Sequence, residues 1–120
     1  MIDKVALTQA FEKINSYWSP VIAGSLNGQH VKLAKFKGPF TWHHHAEEDE
    51  LFYVFKGGFN MEFRDKVVSL QEGDFLIVPR GVEHRPNASE EVWVMLFEPA
   101  GTLNTGNVRN ELTKDKLTQL

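Results

Sequence analysis

Two periodicities divide the chain. Near its start, Leu7, Phe11, Ile14 and Trp18 recur at steps of four, three and four, an apolar stripe of helical period. Asp3 stands where an N-cap belongs. Pro20 stops the helix, and Ser19 before it is pushed towards extended geometry. The stripe predicts a helical segment over residues 1–20, packed on the body of the protein.

From Val21 the period falls to two. Strands are predicted over residues 21–26, 29–36, 40–45, 50–56, 59–64, 67–70, 75–78, 82–85 and 92–98. Turn residues separate them, among them Asn27-Gly28, a strong two-residue hairpin signal, and Gly38-Pro39, Gly57-Gly58, Pro79-Arg80-Gly81 and Asn87-Ala88-Ser89. Many short strands at close spacing indicate an all-β sandwich or barrel over residues 21–100. Residues 101–120 read as a polar tail, with a short helix expected over 111–120.

Composition narrows the class. A chain of 120 residues reads as one domain and buries about two-thirds of its unfolded surface. Lys and Arg number 13 against 16 Asp and Glu, a net charge of −3, which argues against nucleic acid or an anionic membrane as partner. The absence of cysteine excludes disulfides and thiolate zinc sites. No run of about 18 apolar residues and no signal-peptide pattern is seen, so a cytoplasmic location is expected.

Chemistry concentrates in one stretch. Residues His43 to Glu50 carry three imidazoles and four carboxylates in eight positions. In an extended chain His43 and His45 share a face and His44 points away. Glu50, opening the next strand, can return to the same spot, and two imidazoles with a carboxylate make a plausible metal site. Glu47, Glu48 and Asp49 read as a solvated acidic turn, His44 as a surface or interface residue, and His30 as an ordinary strand histidine. If Glu50 faces inward, so do Phe52 and Val54, and with Met61, Phe63 and Leu76 they line an apolar interior. Leu51, Tyr53 and Phe55 then face outward, joined by Trp42. That outer face is apolar where a solvated one would be polar, so the helix or a second copy of the chain must cover it.

These residues also form two spaced motifs. The first is Gly38, His43-His44-His45, Glu50 and Gly57; the second is Gly73, Pro79-Arg80-Gly81, His84 and Asn87. Together, in this order, they resemble the two motifs of small single-domain cupins, closest to the YdbB-like group. Gly38 stands one residue nearer the histidines than in the usual pattern, and Asn87 one residue early. The resemblance implies a double-stranded β-helix, or jelly-roll barrel, preceded by an α-helix. It further implies a divalent metal, Mn, Fe, Ni or Zn, held inside the barrel by His43, His45, Glu50 and His84. Four such ligands on one side of an octahedral ion leave two positions for water or a bidentate oxygen ligand. Small cupins are commonly dimers, and a homodimer is expected. The function implied is a metal-dependent enzyme acting on a small oxygen-rich molecule, as dioxygenase, isomerase or decarboxylase. The alternatives are a non-catalytic cupin that binds a sugar or metabolite, and a purely structural metal site. No general base stands out, since Tyr53 reads as outward-facing and Glu83 and Glu98 belong to no motif.

Overall fold

The helical stripe at the start of the chain divides between two places. In the computed structural model, which describes residues 2–120, helix α1 spans only Leu7–Glu12. Its N-cap is Ala6, with no side-chain cap, so Asp3 does not have the role its position suggests. Lys13 and Ile14 close a tighter final turn on Ala10 and Phe11, and Asn15 and Ser16, both weak helix formers, carry the chain out of the helix well before Pro20. Trp18 then adopts a left-handed backbone (φ 57°) and donates its N–H to Lys35 O at 2.9 Å. Its side chain joins the barrel interior, while Phe11 and Ile14 stay outside with Leu33 and Trp93.

The barrel begins with the hairpin of β1 (Val21–Leu26) and β2 (Gln29–Pro39). Asn27 and Gly28 both take positive φ, 51° and 75°, the turn that matches strand twist. Next come β3 (Glu50–Lys56), β4 (Phe59–Phe63), β5 (Val67–Leu70) and β6 (Phe75–Val78). Strand β7 (His84–Pro99) organises the rest. Its second half lies between β2 and β3, with Phe97 opposite both Val31 and Leu51. Its first half pairs with β4, from His84 against Phe63 to Asn87 against Asn60. Strand β6 extends the sheet from β3, and β5 from β4. The result is the jelly-roll barrel with one short N-terminal helix that the motifs imply.

Sequence reasoning expected two strands where β7 is one. Asn87, Ala88 and Ser89 are turn formers, but Ala88 is fully buried opposite Gly38 and Asn87 donates its side-chain N–H to Glu62 at 2.8 Å. Pairing on both sides overrides local preference. The barrel core gathers Trp18, Phe36, Phe40, Phe52, Val54, Met61 and the inward residues of β7, with Phe63 and Leu76 packed at its margin.

The apolar outer face of β3 is covered only in part by α1. Phe11 stacks on Phe55 and Trp93, with ring centroids 5.3 and 5.1 Å apart. Trp42 does not share this face. It lies over Arg64, 3.8 Å from ring to guanidinium carbon, with Arg85 at 5.2 Å. The reason is that its segment docks on the first half of β7 rather than running beside β3.

Residues 101–120 form no helix. Asn110 Oδ1 accepts the Leu112 N–H, Thr113 Oγ1 the Asn110 N–H and Asn104 Oδ1 the Lys114 N–H. Such local side-chain bonds compete with helical ones. The segment wraps the barrel: Leu112 packs on the main core, and β8 (Thr118–Gln119) pairs in parallel with β1. Among the described residues, no helix is long and apolar enough to cross a membrane.

Candidate metal centre

The segment predicted as a strand over 40–45 is extended but spends its backbone on several anchors. Phe40 donates to Pro86 O at 2.9 Å. His43 and His84 exchange both backbone hydrogen bonds, at 3.1 and 2.9 Å. Residues so opposed send their side chains to one face, and the two rings lie 4.3 Å apart. His45, two positions on, points to the same side, 5.0 Å from the His43 ring. Its carbonyl accepts the Gly81 N–H at 2.7 Å, so the Pro79-Arg80-Gly81 turn is hooked to the histidine segment. Asp49 ties the same turn from the other side, accepting from the Arg80 backbone N–H at 2.8 Å and from its guanidinium at 3.3 Å. The acidic turn therefore contributes an anchor, and Asp49 is not a donor to the centre.

His44 points away, as alternation requires, and its backbone is gripped by the C-terminal segment. His44 N–H donates to Asn107 Oδ1 at 2.8 Å, and His44 O accepts from Asn107 N–H at 3.0 Å. Gly106 makes that approach possible, since a Cβ there would lie 2.1 Å from His44 O. Nothing in the spacing of residues 101–120 announced this contact.

His43, His45, Glu50 and His84 converge. All four are buried, and one ligand atom from each lies within 4.8 Å of every other. Donors about 2.1 Å from a common ion sit at most about 4.2 Å apart, so little contraction is needed. The Nδ1–H groups of His43 and His84 each donate to a backbone carbonyl, of Thr41 and Val82, at 2.9 Å. This fixes the tautomer and leaves each Nε2 lone pair free to face the centre. Glu50 Oε1 lies 3.0 Å from His45 Nε2 and 3.2 Å from His84 Nε2. Neither approach has hydrogen-bond direction, and all three atoms are buried without a partner. Unpaired buried polar atoms are costly, and one cation between them satisfies the whole set. Three imidazoles and a carboxylate suit Mn, Fe, Ni or Zn.

The charge states agree with this use. Burial, with the neighbouring His84 imidazole, pushes the His43 pKa down to about 4, against the opposing pull of the Thr41 carbonyl, so the ring is neutral near pH 7. Burial also pushes the Glu50 carboxyl up, but its contacts with His45 and His84 outweigh that and hold it below the usual carboxylate range. A neutral imidazole and an ionised carboxylate are the forms that bind metal.

A cavity of about 30 Å³ opens beside His43 and Glu50, walled by aromatic residues including Trp18, Phe36, Phe40 and Phe52. Sequence reasoning missed its polar wall. Lys32 and Glu98, each 2% exposed, form an ion pair at 2.9 Å, and Lys32 Nζ also reaches Thr102 O at 3.3 Å. Burial and the nearby Glu50 raise the Glu98 pKa well above the ordinary value, with Lys32 opposing. The signal for both residues was present. Lys32 alternates with buried Ala34 and Phe36, and Glu98 with buried Leu96 and Val94, so each occupies an inward position of its strand.

Comparison with known proteins agrees with this geometry. The family model described as "Cupin domain" matches residues 29–97. The uncharacterized protein YdbB of Bacillus subtilis is 43% identical over 61 residues, 50% of this chain and 54% of that one, so the match spans about half of the relative's length. A crystal structure of a cupin-2 domain containing protein from Shewanella frigidimarina superposes with a TM-score of 0.78 at 40% identity, covering 79% of this chain and 93% of that one. Protein NMB1881 from Neisseria meningitidis gives a TM-score of 0.75 at 28% identity, covering 82% of this chain and all of the other. With both motifs in order, the jelly-roll topology and the buried His/Glu group, the chain belongs to the cupin family, among its small YdbB-like members.

Proposed function

We propose that His43, His45, Glu50 and His84 hold a divalent metal, and that the protein uses it to bind and transform a small oxygen-rich molecule. Oxidative cleavage, isomerisation and decarboxylation are the reaction classes that suit such a site. The observation that carries the reading is the set of buried, partnerless donor atoms, His45 Nε2, Glu50 Oε1 and His84 Nε2. An ion there supplies Lewis-acid polarisation of a ligand oxygen. The protein's own part is to exclude water and orient the ligand within the aromatic wall. The cavity reaches His43 and Glu50, which favours an open site over a purely structural one. About 30 Å³ admits roughly two water-sized groups, which favours a molecule of few carbons over the sugar of the non-catalytic reading.

Elemental analysis of protein purified without a histidine tag tests the centre. We expect about one metal per chain, and His43→Ala or His84→Ala to lose most of it while the barrel still folds. Full retention in both variants removes the assignment. The same reading includes a homodimer, supported by exposed Val67, Phe75 and Ile77 on neighbouring outer strands. Light scattering across a concentration series should give twice the chain mass.

A further inference from the structure

The aromatic wall of the cavity beside His43 and Glu50 has two origins. Phe36 and Phe52 stand on β2 and β3, and Phe40 is pinned by its backbone to Pro86 O. These three belong to the frame of the barrel. Trp18 does not. It is carried by residues 13–20, which join α1 to β1, and its indole enters the interior from outside the strands. There it stacks on Phe36 and Phe40, with ring centroids 4.4 and 4.7 Å away. Phe40 in turn meets the His43 ring nearly at right angles, 5.4 Å between centroids. One ring therefore separates the indole from a candidate metal ligand.

The backbone that delivers this indole is strained. Trp18 holds φ at 57°, a left-handed conformation unfavourable for so bulky a residue. Such strain persists where the surroundings over-determine it, and it gathers at functional sites. Two hydrogen bonds fix it here, from the backbone N–H to Lys35 O at 2.9 Å and from Nε1–H to Lys37 O at 3.0 Å. Glycine would take the same backbone freely, yet the position holds an indole. What the indole leaves open is about 30 Å³, room for roughly two water-sized groups.

We infer that Trp18 sets the size limit of the site. Its indole fills the part of the barrel that a larger ligand would occupy, so the metal centre receives ligands of about formate's size and aromatic or branched acids are kept out. The inference rests on the metal reading above and narrows its ligand class. Trp18 selects by exclusion, without touching the candidate ligands of the ion.

The experiment is calorimetric titration of the Mn²⁺-loaded protein with formate and with benzoate, which share a carboxylate and differ by the ring. The parent protein should bind formate and reject benzoate. In Trp18→Gly, benzoate should bind about ten- to a hundredfold more tightly than formate, the worth of burying one large apolar group. Indole added to that variant refills the vacated space and should restore the rejection, which a merely damaged fold would not do. Trp18→Leu keeps a smaller apolar body and should fall between the two; it carries the test if Trp18→Gly does not fold. Benzoate binding to the parent as tightly as formate overturns the inference, as does continued rejection by a folded variant. Thermal denaturation of the metal-free proteins separates the inference from the reading beneath it. Indole should raise the melting temperature of Trp18→Gly with concentration and leave the parent unmoved. A parent protein that takes up no Mn²⁺, Fe²⁺, Ni²⁺ or Zn²⁺ sinks the metal centre, and the indole response then decides the size limit by itself. An equal response in parent and variant overturns it.

Discussion

The two halves of β7 each bury a charged or ionisable group in the same interior, and they handle it in opposite ways. In the first half, His84 has its Nδ1 fixed by a backbone carbonyl and its Nε2 left without a hydrogen-bond partner among His43, His45 and Glu50. In the second half, Glu98 meets Lys32 at 2.9 Å. One end of the strand keeps polar atoms open towards a common point. The other closes most of its valence within the protein. A buried polar group is tolerated either because a partner is present or because one is expected to arrive, and this strand shows both cases.

The sharpest way to break the comparison is to make the closed end behave like the open one. Lys32→Met leaves Glu98 buried and alone, and should cost about 3–5 kcal/mol of stability, measured by urea denaturation of metal-free protein. Adding Glu98→Leu should recover most of the loss, because an apolar pair needs no compensation. A single replacement costing nothing would mean that Glu98 finds another partner.

Acid should expose the open end. His43 has a folded pKa of about 4 against about 6.5 unfolded. Between those values the unfolded state takes up the proton first, so stability of the metal-free protein falls as pH drops from ~6.5 to ~4. The total is on the order of 3 kcal/mol. Denaturation curves for the parent and for His43→Leu should diverge across that window, the variant showing the flatter profile. Metal binding should weaken along the same descent, since protons compete for the imidazoles.

A smaller effect reaches the open end through its backbone. Gly106→Ala sets a methyl against His44 O, which must shift together with the histidine segment. We expect about 1–3 kcal/mol of destabilisation and roughly a tenfold loss of metal affinity, comparable to removing an orienting neighbour of a ligand. Smallest should be Asp49→Asn. Its pair with Arg80 is exposed, so thermal stability should barely move, although the backbone bond to Arg80 leaves room for a slight drop in metal affinity.

The sequence was most informative where turn chemistry and alternation agreed. Asn27-Gly28 marked a real hairpin, and β3, β5 and β6 begin and end at the expected residues. His43, His45 and Glu50 stood together in one stretch, His84 was implied by the cupin resemblance, and the fold brings all four together. It was least informative where distant parts of the chain override local preference. Asn87-Ala88-Ser89 looks like a turn and is held straight by neighbours on either side. Trp18 continues a helical stripe but is drawn inside by Lys35 and the Phe36 and Phe40 rings. The C-terminal segment has no period at all, because its order comes from individual side-chain bonds and from its grip on His44. Lys32 and Glu98 were hidden by expectation, since charged residues at inward positions are normally assigned outward.

The placement of the three indoles makes the molecule its own optical gauge. Trp18 borders the cavity, with its ring nitrogen donating to Lys37 O at 3.0 Å. Trp42 is stacked on arginines, and Trp93 sits under the helix. Emission from the first should shift or quench when the interior fills, while the other two supply a steady background, so occupancy can be followed by fluorescence without attaching a dye.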